Sequence, residues 1–302
     1  MDLKNIHGET EKEFLENYKK SIDKYEKPSV TVDMLIFTVD EKENNNYRKL
    51  NDKELKILLI KRADHPYIGQ WAIPGGFCNV NESLEDAADR ELYEETHVNN
   101  VYLEQLFTCG EVDRDPRMRV ISTSYLALVD KESLDIKAGD DAADAKWFSI
   151  KYNLIDTNFK ELDNGYIYEE VYDLILKNED IILSSKVKNS TFVRGKKKKH
   201  SYEILSNNGI AFDHPSFILY AIERLKNKVE YTDIAFNLMP ELFTLKELEQ
   251  VYSIILDRPI LNFRRMVKTM VVETDKVREN AGHRPAKLFK FNKYHNLNIK
   301  KS

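Results

Sequence analysis

Residues 29–39 set two rows of side chains against each other: Val30, Val32, Met34, Ile36 and Thr38 on one, Thr31, Asp33, Leu35 and Phe37 on the other. Both rows are largely apolar, so the pattern predicts a strand covered on both faces. Residues 54–62 form a short apolar run closing in charge, which predicts a second buried strand. Stretches 103–112 and 120–129, and the brief run 145–148, read as further strands. Elsewhere the spacing is helical. Phe14, Leu15, Tyr18, Ile22 and Tyr25 predict a helix over 9–26, closed by Pro28. Leu84, Ala87, Ala88, Leu92 and Tyr93 predict one after Ser83, a cap with Asp86 three residues on. Val171, Leu174, Ile175 and Ile182 predict a helix over 168–183, and 211–227 open another at Asp213-His214-Pro215. Thr244-Leu-Lys-Glu247 is a capping box, followed by Leu245, Leu248, Val251, Tyr252 and Ile255 at helical spacing. Asp257-Arg258-Pro259 stops that helix. A basic one is expected from about Ile260, and a hairpin after Val272.

Strands mixed with helices in this way imply a layered α+β fold. At 302 residues the chain suits two domains, and 42% hydrophobic content is enough for a packed core. The boundaries expected are an N-terminal helix over 1–27, a first domain over 28–185, a linker or hairpin over 186–212 and a second domain over 213–302. Cys78 and Cys109 lack the spacing of a metal finger, and the start of the chain shows no secretory pattern. No apolar stretch is long enough to cross a membrane. These features imply a reduced, cytoplasmic setting and no membrane partner. The net charge of −5 is unevenly spread: from Asp213 onward 16 Lys and Arg stand against 11 Asp and Glu, and before it 30 stand against 40. A basic second half can meet a polyanion. Gly195 and the run Lys196–Lys199 read as a solvated hairpin tip or linker, with a phosphate-binding arm as the sharper alternative.

The acidic half contains the most informative pattern. Glu91, Glu94 and Glu95 stand at i, i+3 and i+4, which brings three carboxylates to one helical face within a turn. Like charges so close repel, so a cation is expected among them, and carboxylate oxygens favour a hard ion such as Mg²⁺ or Mn²⁺. Upstream, Pro74-Gly75-Gly76 breaks regular structure and admits backbone close to a ligand.

From Gly76 to Val98 the chain resembles the Nudix box: Gly76, Glu82, Arg90, Glu91, Leu92, Glu94, Glu95 and Val98 all fall at the required spacing. His97 departs from it, standing where the family has Gly at the end of the helix. The resemblance implies a Nudix α/β/α sandwich with a mixed sheet. Within it, Glu91, Glu94 and Glu95 would hold the metal, Arg90 would brace them, and Glu82 would be an accessory ligand or salt-bridge partner. Gly75 and Gly76 would approach the substrate. Arg62, Arg114 and Arg117 are candidate phosphate contacts, because guanidinium donates paired hydrogen bonds; alternatively Arg114 pairs with Asp113 or Asp115 and shapes its loop. Tyr67 and Trp71 could stack on a base or belong to the core. A general base is sought in Glu111, Asp140 and Asp141 without a choice among them.

The second half resembles the C-terminal winged helix of Nudix-related transcriptional regulators. A helix, a tight break, a basic helix with Asn262, Arg264, Arg265 and Lys268, and a hairpin wing carrying Arg284 and Lys287 are the elements that would meet DNA. The phrases Trp71-Ala-Ile-Pro-Gly-Gly, Asp113-Arg-Asp-Pro-Arg117 and His283-Arg-Pro-Ala-Lys-Leu fit the same family. Two functions follow. One is a Mg²⁺-dependent hydrolase that cuts a nucleoside diphosphate compound, ADP-ribose foremost, to AMP and ribose 5-phosphate. The other is a regulator of double-stranded DNA whose Nudix domain senses ADP-ribose or a sugar with little or no turnover. The family implies a homodimer.

Overall fold

A computed structural model describes residues 3–21, 26–42, 52–99, 101–131, 145–278 and 285–297. The sheet at its centre runs, in spatial order, β10-β9-β8-β7-β2-β1-β6-β5. Its strands are β1 (Ser29–Glu41), β2 (Lys53–Lys61), β5 (Tyr102–Cys109), β6 (Val120–Leu128), β7 (Ala145–Leu162), β8 (Gly165–Asn178), β9 (Ile181–Arg194) and β10 (Lys197–Asn208). Two short strands, β3 (Trp71–Ala72) and β4 (Gly75–Phe77), pair with β2 and β1. β1 and β6 run parallel and the other pairings are antiparallel, so the sheet is mixed as expected.

The two apolar rows of β1 explain how the layers form. Val32, Met34 and Ile36 join Leu58, Ala87, Ala88, Leu92 and Tyr125 in one cluster beneath helix α2 (Leu84–Thr96). Leu35, Phe37 and Val39, with Leu55, Ile57 and Leu59, enter a second cluster on the other face. That face is covered by α3 (His214–Val229) and α4 (Leu245–Leu256), which supply Ile222, Leu225, Val229, Leu248, Val251, Tyr252 and Ile255. The third layer of the sandwich therefore comes from the C-terminal half. Alternate residues of one strand point to opposite faces, and here each face finds its own apolar partner.

Three elements differ from their sequence expectation. The helix over 168–183 is absent: those residues lie in β8, the tight turn after it and the start of β9. Leu174 and Leu176 are buried on one face, and Asn164 at φ 69° and Glu179 at φ 48° turn the chain at either end of β8. Aromatic and β-branched residues between two such turns favour a strand, and the helical spacing of Val171, Leu174 and Ile175 is incidental. The short run at 145–148, which pairs with β2, extends to Leu162, because β7 goes on to pair with β8 from Ser149 to Leu162. The basic helix is a single turn, α5 (Phe263–Met266), entered through Asn262 in the left-handed region. The tract Gly195–Lys199 lies at the β9–β10 turn and the start of the sheet's edge strand, where lysines discourage further strand pairing.

The N-terminal helix α1 (Glu11–Lys20) has a Thr10 capping box and no buried residue. Among the described residues no helix is long and apolar enough to cross a membrane. In the C-terminal half, α4, α5 and the hairpin of β11 (Val271–Arg278) and β12 (Ala286–Phe291) make a winged helix. A bridge between Phe243 and Phe289 seats the wing against the start of α4.

Candidate functional site

Helix α2 begins as its sequence dictates. Ser83 Oγ accepts from the Asp86 N–H at 3.1 Å, and the Asp86 carboxylate accepts from the Ser83 N–H at 3.1 Å. It ends at His97, which takes the left-handed conformation, φ 55° and ψ 22°, that Gly commonly occupies. The apolar stripe is thereby turned into the core and the acids toward β4. Gly76 explains its own identity: a Cβ there would lie 2.0 Å from Glu91 Oε1, and one on Gly75 would lie 2.3 Å from the Val32 carbonyl oxygen. Any side chain at either position displaces Glu91 or the strand.

Arg90 sits among the acids as expected. Its Nη1 donates to Glu91 at 2.7 Å and to Glu94 at 3.4 Å, its Nη2 and Nε to Glu82 at 2.8 and 3.2 Å, and Nη2 also to the Phe77 carbonyl at 3.1 Å. The Arg90 hydrogen bonds hold the Glu82 carboxyl down at about 2. Burial pushes the Glu91 carboxyl up against the pull of Arg90. Glu95 has no hydrogen bond or ion pair among the described residues; burial, then the charges of Glu91 and Glu94, push its carboxyl up to about 7.

Three carboxylates thus meet one guanidinium, and Glu95 stands beside them, unpaired among the described residues. Among the described residues no three potential ligands converge on a single point, yet the donor set fits a hard divalent cation. Its oxygens are carboxylates, its negative charge exceeds what Arg90 offsets, and Glu95 is left without a counter-charge. Glu91, Glu94 and Glu95 are the side chains that can hold the ion, with Glu82 engaged by Arg90 beside them.

Across the glycine strand lies a cationic group. Arg117 is paired with Asp115 at 3.0 and 2.8 Å and stands 5.7 Å from the Phe77 ring. Arg62 donates to the Pro66 carbonyl at 2.6 Å and lies 4.9 Å from the Phe212 ring; burial, then the charge of Arg117, lower its pKa. Arg114 pairs with neither Asp113 nor Asp115. It donates to Asp213 through Nε at 3.0 Å and Nη2 at 2.9 Å, and reaches Asp33 at 3.5 Å. Its side chain is 7% exposed. Burial works against its charge, but the bonds to Asp213 keep its pKa raised. Tyr67 packs on Phe212, with ring centres 4.6 Å apart, and Trp71 is buried edge-on against Phe148. Glu111 is exposed, and its carbonyl accepts from Arg119. Asp140 and Asp141 lie outside the described residues.

Sequence reasoning missed the residues that join these parts. Asp33 is buried and accepts from Ser122 as well as Arg114. His214 is buried and its Nδ1 accepts from the Ile73 N–H at 3.0 Å, just before Pro74-Gly75-Gly76. Burial lowers the pKa of that ring. The signal available was a carboxylate inside an otherwise apolar strand, since buried charge requires a partner.

In the winged helix Asn262, Arg264, Arg265 and Lys268 are exposed together. The three cations among them form no ion pair among the described residues. Lys287 pairs with Glu273 across the wing, and Arg278 pairs with the buried Glu247. Arg284 lies outside the described residues.

Residues 48–167 match the NUDIX domain family, and residues 235–291 match the NrtR DNA-binding winged helix domain. Fold and site therefore define a Nudix domain joined to a DNA-binding module. The chain is 31% identical over 291 residues to the ADPR responsive transcriptional repressor NtrR of Acinetobacter baylyi, covering 95% of this chain and 90% of the relative. Among solved structures it resembles a MutT/nudix family protein from Enterococcus faecalis, with a TM-score of 0.63, 29% identity and 94% of each chain covered. It also resembles Shewanella oneidensis NrtR complexed with a 27mer DNA, with a TM-score of 0.59, 28% identity, and 88% of this chain and 94% of that one covered. A shorter match, 41% identical over 99 residues, is to the ADP-ribose pyrophosphatase of Methanocaldococcus jannaschii, covering 33% of this chain and 57% of the relative. The chain belongs to the NrtR family of Nudix-related regulators.

Proposed function

We propose that this protein is a DNA-binding transcriptional regulator whose Nudix domain binds ADP-ribose, or a closely similar nucleoside diphosphate, as effector. The observation that carries this reading is the kinship to an ADPR responsive repressor over nearly the whole of both chains. The geometry supports it. An acid cluster suited to Mg²⁺ or Mn²⁺ and the Arg62, Arg114 and Arg117 group flank one glycine strand, as binding a diphosphate with its counter-ion requires. Asn262, Arg264, Arg265 and Lys268 offer a surface for DNA phosphates and base edges, and Lys287 on the wing adds to it. A homodimer would let two such modules read paired half-sites.

Binding of the full-length chain to DNA from upstream of its own gene tests the reading. Arg264→Ala is expected to weaken binding and, if it loses one phosphate contact, to lower the salt slope by about 1. Binding indifferent to salt and to Arg264→Ala would rule out this DNA surface.

The acid cluster favours turnover as a second activity, because Glu91, Glu94 and Glu95 are all present with Arg90 bracing them. A bound divalent ion would supply charge neutralisation and an activated water. The protein's own part is to hold the diphosphate against Gly75 and Gly76 and to anchor the acids through Arg90. Mg²⁺-dependent release of AMP from ADP-ribose, lost in Glu94→Gln, is the expected result. No turnover alongside tight ADP-ribose binding would leave the domain a sensor alone.

A further inference from the structure

The segment between the sheet and α3 is not a free linker. Residues 209–214 run as a strap beside β3 and the arginine group. The Trp71 N–H donates to the Gly209 carbonyl at 2.9 Å, and the Ala211 N–H donates to the Trp71 carbonyl at 2.8 Å, so the strap is joined to β3 by a single parallel bridge at Ile210. Gly209 is required there: its φ is +88°, and a Cβ would meet Leu183 at 2.8 Å. Phe212, at φ 54°, presents its ring to Tyr67 and to the Arg62 guanidinium. Asp213 takes two bonds from Arg114, and His214 takes the N–H of Ile73. Three consecutive residues of the strap thus contact three separate parts of the nucleotide-binding domain.

Asp213 is also the residue from which α3 starts, and its side chain caps none of the helix's own N–H groups. Its carboxylate is committed to Arg114 instead. From that anchor α3 runs through the buried cluster it shares with α4, where Leu225 and Val229 belong with Val251, Tyr252 and Ile255. Tyr252 packs edge-on against Phe263, with ring centres 5.4 Å apart. Phe263 is followed at once by Arg264 and Arg265. A continuous packed path therefore joins the Arg114 guanidinium to the basic surface.

We propose that the Arg114–Asp213 ion pair is a latch through which occupancy of the Nudix site controls the DNA-binding module, with Asp213 as its positioning residue. This rests on the reading above that a nucleoside diphosphate binds beside the glycine strand. Arg114 reaches that strand through Asp33, which lies opposite Gly75 in the β1–β4 pairing. A diphosphate brought there adds negative charge next to Asp213 and competes with it for one guanidinium, so the pair weakens. The Arg114 side chain is nearly excluded from water, where leaving a charge without its partner is most costly. Release of Asp213 frees the first turn of α3, and the shift passes along the core, because packed interfaces move between discrete arrangements and do not deform smoothly. The ligand then binds the released arrangement better than the latched one, as a population shift requires.

The test uses the full chain, ADP-ribose with Mg²⁺ as the probe, and DNA from upstream of its own gene. For the wild type, ADP-ribose is expected to weaken DNA binding ~10-fold, within the range of allosteric coupling between sites. Asp213→Asn is expected to bind ADP-ribose and, with or without it, to bind DNA about as the ligand-bound wild type does, with less than about a twofold change on adding ligand. Hydrogen exchange gives a second readout independent of DNA: the amides of residues 213–220 are expected to exchange faster when ADP-ribose binds the wild type. An Asp213→Asn protein that responds as the wild type does, or wild-type amides indifferent to bound ADP-ribose, overturns the latch alone. A wild type that binds neither ADP-ribose nor DNA overturns the functional reading, and the latch with it. Should Asp213→Asn not fold, the wild-type exchange data decide.

Discussion

Single residues show where the sequence is under tension. His97 holds a left-handed cap that a glycine would hold without steric cost, and the L-residue penalty there is about 1 kcal/mol. Its backbone N–H still closes the helix on the Tyr93 carbonyl at 2.8 Å, and its ring sits near Tyr93, with centres 5.7 Å apart. The departure from the Nudix box is thus a strained cap that costs no ligand. His97→Gly is expected to raise the melting temperature by a few degrees, an effect of about 1 kcal/mol, while ADP-ribose affinity is unchanged. A lower melting temperature would mean that the ring contact outweighs the backbone strain. The box itself was fully legible: Gly76, Glu82, Arg90 and the three acids come together because local spacing on one helix and one turn decides their positions. Asp33, Asp213 and His214 were not legible as a set. Asp33 stands far along the chain from the adjacent Asp213 and His214, and only the sheet and α3 bring them together.

At the scale of elements, the first turn of α3 is held to the glycine turn through His214. The folded chain keeps this ring neutral, since Nδ1 must accept the Ile73 N–H and burial opposes a charge. Unfolded, the ring takes up a proton near pH 6.5. The unfolded state therefore binds more protons below that pH. The stability this ring contributes is fully present above that pH and is lost as the pH falls through it. His214→Asn, which retains an acceptor and cannot titrate, is expected to flatten the loss of melting temperature between pH 7 and pH 5. Parallel losses in the two proteins would show that the acid sensitivity arises elsewhere. The β7–β10 meander shows how far periodicity carries. The Lys-rich tract by itself suits a hairpin tip or a linker, and β8 suggests a helix because three apolar residues fall at helical offsets. What decides the matter is the pairing of β8 with β7 on one side and β9 on the other, which no local window contains. The basic helix was placed correctly and its length overestimated. The turn at Asn262, with φ 56°, postpones its start, and only Phe263 to Met266 are helical.

In the whole molecule the two halves share a single interior. The sheet face opposite α2 is closed by α3 and α4, so the winged helix is part of the sandwich and not an appendage on a flexible tether. This union was not legible. The sequence gives each amphipathic stretch a buried side without naming its partner, and the apolar row of Leu35 and Phe37 required some cover that was supplied from two hundred residues away. It gives the proposed nucleotide site and the basic surface a packed route between them without a hinge. The most direct test of that account is the affinity of the full-length chain for its upstream DNA, measured by fluorescence anisotropy with and without saturating ADP-ribose and Mg²⁺. The account predicts a fall of about tenfold or more on adding the nucleotide, as expected for coupled sites. An affinity unchanged while calorimetry shows the same nucleotide bound to the Nudix domain would contradict it.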